Sequence, residues 1–260
     1  MKTNTFGFIG GGRITRLLLQ ALKQKNALPE KVVVADPNKE MRRLVKEIEP
    51  ATIECTIKNP DALNADILFL AVHPPIVKDV AAEIANKMNN NTIVVSLIPA
   101  INLEKLSKLL SGVTKIVRMI PNAPSIIHKG FNPVVYSNGI SREEKQQLQK
   151  LFSNWGKAPE VDEKKLESYA IVTAMGPTYF WFQWLKLQEL GKQFDMDDAE
   201  LKQAIPAMLH GAVETFFESN LSPEEVMDLI PVCPLKDEEL TIKNIYDSKL
   251  TGLYKKLTNS

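Results

Sequence analysis

The sequence predicts an α/β protein: a Rossmann-like parallel-sheet domain over residues 1–162, followed by an all-helical domain over 163–260. Three observations carry this. An apolar strand runs into Gly10-Gly11-Gly12 and then into apolar residues at helical spacing (Ile14, Leu17, Leu18, Ala21, Leu22). Strand-like and helix-like segments alternate as far as residue 155, the pattern of a parallel sheet covered by helices. From Lys165 onward only helical periodicity remains.

The first βαβ unit is the most specific signal. Gly10 allows a tight turn, Gly12 lets the backbone approach a pyrophosphate, and the helix opening near Arg13 aims free N–H groups at phosphate. Residues 31–35 form the second strand. Asp36 follows it, 24 positions after Gly12, where an acid accepts hydrogen bonds from a ribose. The third glycine of the fingerprint is replaced by Thr15, which predicts looser packing of helix on strand. Asp36 favours NADH over NADPH, because it repels a 2′-phosphate and 37–39 (Pro-Asn-Lys) offer no arginine; Lys39 remains within reach.

The later elements follow in order. A helix is expected over 39–48, a strand over 66–71, and a helix over 76–87 with Val77, Val80, Ala81 and Ile84 on one face. The continuous apolar run 92–97 predicts a strand buried on both faces. A helix over 103–110, a strand over 115–119, an extended piece over 132–136 and a helix over 142–155 complete the domain. Ligands in such a sheet bind at the strands' carboxyl ends, which here supply 10–12, Asp36, 72–75, 97–100 and 120–124. His73 stands at one of these ends, as a cap or a contact to ligand; His128 and His210 carry no signal of chemistry.

In the C-terminal part, residues 178–190 are apolar nearly all round, so this helix must be buried in a core or between subunits. A helix over 197–219 carries an apolar stripe that packs beside it.

Composition sets the remaining bounds. At 260 residues with 44% hydrophobic content the chain builds a full core, and a net charge of +1 argues against nucleic acid. Charge runs at 145–150 and 236–239 fit solvated helix faces. Cys55 and Cys233 form neither a disulfide framework nor a metal site. No apolar run approaches the roughly 18–20 residues of a membrane span. With an opening strand in place of a signal peptide, the expected compartment is the cytoplasm.

Four ordered motifs resemble the pyrroline-5-carboxylate reductase family. Residues 8–12 (Phe-Ile-Gly-Gly-Gly) are similar to its nucleotide fingerprint, and 71–74 (Ala-Val-His-Pro) to its Ala-Val-Lys-Pro segment. Residues 117–124, including Arg118, Met119 and Asn122, resemble its Arg-x-Met-Pro-Asn-Thr-Pro loop, and 175–179 (Met-Gly-Pro-Thr-Tyr) its Ser-Gly-Pro-Ala-Tyr helix start. The resemblance implies NAD(P)H-dependent reduction of a cyclic imine to proline and a helical dimerisation domain that makes a homodimer or larger homo-oligomer. It assigns Gly10, Gly11, Gly12, Arg13, Ile14, Asp36, Val72, His73, Pro74 and Asn122 to the cofactor, and Met175, Gly176, Thr178 and Cys233 to the substrate. Thr178 is the one catalytic candidate, with a helix cap as its alternative role.

Departures fall on the substrate side. Where the family has Ser-Pro-Gly-Gly-Thr-Thr, residues 230–237 read Ile-Pro-Val-Cys-Pro-Leu-Lys-Asp, losing backbone and hydroxyl donors. Cys233 is expected to be a buried, small apolar residue there. Ala100 also replaces a family glycine. The alternatives are a related reductase acting on another imine or ketone, and an inactive dinucleotide-binding regulator.

Overall fold

In the computed structural model, which describes residues 4–258, β1 (Thr5–Ile9) lies between β2 (Lys31–Ala35) and β4 (Ile67–Leu70), parallel to both. β3 (Ile53–Thr56) extends one side of the sheet; β5 (Ile93–Ser96) and β6 (Ile116–Met119) extend the other, all parallel. With β8 (Val134–Tyr136) at the far edge, the sheet has seven strands among the described residues, in the order β3-β2-β1-β4-β5-β6-β8. The order reverses at β1, creating the switch point at which open α/β sheets bind ligands. β7 (Gly130–Phe131) and β9 (Gly156–Lys157) form a separate small ribbon.

Helices α1 (Arg13–Gln24), α2 (Lys39–Lys46), α3 (Val77–Ile84), α4 (Leu103–Leu109) and α5 (Arg142–Phe152) stand where the sequence expects them, with shorter ends. Val77, Val80, Ala81 and Ile84 are all buried, as their spacing requires. The expected helix 76–87 is split, with 3-10 turns before and after α3. Trp155 falls beyond the end of α5 rather than inside it. It is fully buried against Phe69 and Phe152, and its indole N–H donates to the Leu18 carbonyl at 3.0 Å.

Two edges differ from the sequence reading. β3 carries one buried residue, Ile53, so its sequence has no apolar run to announce it. The extended piece at 132–136 is β8 (Val134–Tyr136), paired antiparallel to β6. Its connection holds a short 3-10 segment and the two-residue β7, with no helix to make a parallel crossover.

The chain divides into two compact units after Met175, rather than at 162: the first runs to Met175 and regains the segment from Leu253, the second is Gly176–Gly252. The reason is a buried cation. Arg118 in β6 is 1% exposed, and a guanidinium so placed needs acidic partners. Glu163 and Glu167 provide them, at 3.0 and 2.5 Å. Glu167 lies in α6 (Leu166–Tyr169), and Leu166 and Ala170 bury beside Ile120 and Val135, where Leu257 also packs. The same carboxylates accept the Ala100 N–H (3.1 Å) and the Leu103 N–H (2.7 Å), fastening the loop after β5. A π-turn at Ala170–Ala174 ends the unit.

The second unit is built on α7 (Pro177–Gln193), α8 (Asp198–Glu218), α9 (Pro223–Asp228) and the first turns of α10 (Glu239–Thr258). α8 starts on a capping box between Asp197 and Glu200. Gly191 lets α8 approach α7 closely: a Cβ there would stand 2.3 Å from the Leu201 side chain. The all-round apolar α7 leaves Phe180, Trp181, Phe182 and Leu185 exposed within one protomer.

Ala100 occupies the left-handed region at φ +67°, where a Cβ is strained and glycine is not. Ala100→Gly is therefore expected to stabilise the protein by about 1 kcal/mol, raising Tm by roughly 2–4 °C in calorimetry.

Candidate cofactor site

The carboxyl ends of β1, β2 and β4 meet at one turn. Gly10 adopts φ +101°, and a Cβ there would lie 2.4 Å from the Ala71 carbonyl oxygen, so only glycine fits. The Gly10 N–H donates to the Ala35 carbonyl and the Ala71 N–H to the Ile9 carbonyl, both at 2.8 Å. The Asp36 carboxylate accepts the Gly11 N–H at 2.7 Å and the Asn38 N–H at 2.8 Å. Arg42 donates to the carbonyls of Asp36 and Pro37 at 2.8 and 2.9 Å, fixing the loop that carries the acid.

Thr15 does not loosen this arrangement, contrary to expectation. It is fully buried, and its hydroxyl donates to the Gly10 carbonyl at 2.6 Å, pinning α1 to the turn. Gly12 precedes α1 as an open position: no atom comes within 4 Å of a Cβ built there. No side chain caps this helix, so its first N–H groups have no side-chain acceptor, an arrangement that suits an anion.

A cleft of about 450 Å³ opens over the turn. It brings together Gly10, Gly12, Arg13, Asp36, Val72 and His73 from the sequence-derived set. Gly11 does not line it and spends its N–H on Asp36. Ile14 packs partly buried against the core. Pro74 belongs to a neighbouring groove with Lys78 and Lys105. Asn122 is engaged by the protein itself: its side-chain oxygen accepts the Phe131 N–H at 3.1 Å, and its amide reaches the Thr173 carbonyl at 3.4 Å.

Arg16, Met41 and Asn59 also line the cleft, and sequence reasoning missed them. Arg16 was legible in principle, one helical turn beyond Arg13 on the same face. Asn59 opens a 3-10 turn behind β3, the strand that left no pattern.

The other candidates occupy plain positions. His73 is exposed and precedes a 3-10 turn. His128 Nδ1 meets the Asn154 carbonyl at 2.8 Å, and His210 is exposed on α8. Thr178 is not the helix cap; Gly176 holds that position and Pro177 begins the helix. Within the helical unit, Cys233 is exposed rather than buried. It lines a groove of about 1090 Å³ with Phe180, Phe216, Pro234 and Tyr246. Nothing else in that unit covers the 230–237 loop, whose Ile230, Val232 and Leu235 are exposed as well.

A glycine turn at the switch point, an acid at the end of β2 and an uncapped helix are the features of a Rossmann-type dinucleotide-binding fold. The family described as NADP oxidoreductase, coenzyme F420-dependent, matches residues 5–99. A pyrroline-5-carboxylate reductase of Corynebacterium melassecola is 26% identical over 253 residues, covering 96% of this chain and 93% of that protein. Two solved structures share the fold. The pyrroline carboxylate reductase of Plasmodium falciparum with NADP bound has a TM-score of 0.79 at 20% identity, covering 100% and 97% of the two chains. The pyrroline-5-carboxylate reductase of Coxiella burnetii has a TM-score of 0.69 at 24% identity, covering 100% and 96%. The chain thus resembles the pyrroline-5-carboxylate reductases along nearly its whole length.

Removing the buried Thr15 hydroxyl by Thr15→Val is expected to cost about 1 kcal/mol in urea denaturation, because the Gly10 carbonyl loses its donor. Gly10→Ala should abolish NADH binding in a fluorescence titration, since its Cβ collides with backbone.

Proposed function

We propose that this chain is an NAD(P)H-dependent reductase of the pyrroline-5-carboxylate type, reducing the C=N bond of a small carboxylated cyclic imine. The observation that carries the reading is the Asp36–Gly11 clasp over an uncapped α1, in a chain similar to these reductases over 96% of its length. When bound, the cofactor supplies the hydride. The N–H groups at the start of α1 hold its pyrophosphate, and the Asp36 carboxylate accepts the adenosine ribose hydroxyls. A cyclic imine is basic enough to arrive protonated, so the site needs no strong acid. Met175, Gly176, Thr178 and Cys233 are the proposed substrate residues, with Thr178 the catalytic candidate.

Asp36 favours NADH: two N–H donors fix its carboxylate where a 2′-phosphate would meet negative charge. A second reading, a related reductase acting on another imine or ketone, is favoured by the 230–237 loop, where apolar side chains replace the family's glycines and threonines.

The proposed partner is a second copy of this chain, giving a homodimer or larger homo-oligomer. Apolar residues on α7, α8 and α10 of the helical unit are exposed, Phe182 at 68% and Phe217 at 76% among them, beyond what a monomer leaves in water. No helix among the described residues is long and apolar enough to cross a membrane. The proposed compartment is the cytoplasm, in keeping with two free cysteines.

Following nicotinamide absorbance with pyrroline-5-carboxylate and a panel of other cyclic imines and ketones tests the activity. Turnover of the first is expected; turnover of another panel member alone selects the second reading, and cofactor binding without any turnover marks an inactive regulator. Asp36→Ser should shift selectivity toward NADPH by about tenfold in paired titrations. Phe182→Glu with Phe217→Glu should convert the oligomer to monomers in sedimentation velocity.

A further inference from the structure

Two arginines, Arg13 and Arg16, line the cofactor cleft, and Arg16 carries a buried donor that the protein leaves unfilled. Arg16 is half-buried on α1, lines the cleft, and its Nε is buried without a hydrogen-bond partner among the described residues. A buried guanidinium donor left unmade is costly, and the half-buried side chain that carries it lines the cleft, where an acceptor can arrive with a ligand. The neighbouring groups do not fill it. Asp36 gives its two oxygens to the N–H groups of Gly11 and Asn38. Glu40 is taken by the fork of Arg43, at 2.9 and 2.6 Å.

The other cations near the end of β2 are committed or exposed. Arg42 donates to the Asp36 and Pro37 carbonyls, Arg43 bonds Glu40 and Glu47, and Lys39 and Arg13 lie on the surface. The Arg16 charge is felt at the start of α2. Glu40's carboxyl is held below its usual range, first by the Arg43 hydrogen bond, with the Arg43 and Arg16 charges acting in the same direction. Arg16 lines the same cleft as Asp36, Pro37 and Met41, the residues at and beyond the end of β2, as well as the glycine turn.

We propose that Arg16 is the specificity-determining residue that admits the 2′-phosphate of NADPH to this cleft, against the opposing charge of Asp36. A guanidinium binds phosphate through paired, charge-assisted hydrogen bonds, and its planar donors match that geometry better than an ammonium. Arg16 comes from α1, whereas the sequence directs attention to the residues after β2, where 37–39 contain no arginine. Selectivity between the two cofactors is then a balance of Asp36 and Arg16 across one cleft, rather than a property of the β2 loop alone. The inference rests on the cofactor reading of the cleft.

The test titrates the full-length protein with NADH, NADPH and adenosine 2′,5′-bisphosphate, by calorimetry, for wild type, Arg16→Ala, Arg16→Lys and Arg13→Ala. Arg16→Ala should raise the ratio of the NADPH to the NADH dissociation constant by about tenfold or more and weaken the bisphosphate in parallel. Arg16→Lys should recover part of that ratio, and Arg13→Ala should leave it near the wild-type value. Thermal melts without ligand check that each variant folds; should Arg16→Ala not fold, Arg16→Lys and Arg16→Gln carry the comparison. An unchanged ratio, or equal weakening of both cofactors, overturns the assignment while leaving the cofactor site standing. A wild type that binds neither dinucleotide overturns the cofactor reading itself, and this assignment with it.

Discussion

The hydrogen bond from the Gly11 N–H to the Asp36 carboxylate is the constraint on which the N-terminal unit's site depends. It ties the turn after β1 to the end of β2, and it does so at the place where the strand order reverses. The Gly10 N–H and the Ile9 carbonyl make the bonds that register this turn against the two neighbouring strands, and the positive φ of Gly10 is what sends the chain back into α1. The outcome is an acid and a helix N-terminus held beside the same cleft. A carboxylate placed there is oriented by backbone donors before any ligand arrives, so little has to reorganise on binding.

A second constraint works beneath the first. Arg118 sits within the sheet with almost no exposure, and its two carboxylate partners lie 45 and 49 residues further along the chain. Because those carboxylates also accept N–H groups from the loop after β5, one ionic cluster fixes a strand, a ligand-side loop and the segment that follows the sheet. Breaking such a buried cluster strands a charge, which is why the segment up to Met175 stays with the sheet instead of joining the helices. The strained Ala100 is retained inside this network, its N–H held by Glu167.

The helical unit follows a different logic. Its α8 and α9 start on capping boxes and α8 packs closely on α7 at Gly191, yet the apolar side chains of α7 point outward as well as inward. An α-helix that is apolar on every side can satisfy only part of its surface within a small bundle. The unmet surface is the physical ground for the proposed second copy, and the altered 230–237 loop lies in the same unit.

Much of this was readable from local pattern. The glycine turn, Asp36, the parallel strands and most helices follow from periodicity and from residues whose backbone freedom is special, because those signals are encoded within a few neighbouring positions. Local pattern also misleads in places: Thr15 reads as a poor substitute for glycine, whereas its hydroxyl fastens the turn, and Cys233 reads as buried, whereas it is exposed within the helical unit. By itself the sequence determined the dinucleotide-binding architecture, since alternation and the fingerprint leave few other ways to bury that core. Only the tertiary structure decided where the first unit ends, what Asn122 and Thr15 bond to, and that Arg16 and Asn59 face the cleft. Each of these depends on contacts between residues distant in the chain, and burial and partner identity leave no periodic trace at any one position.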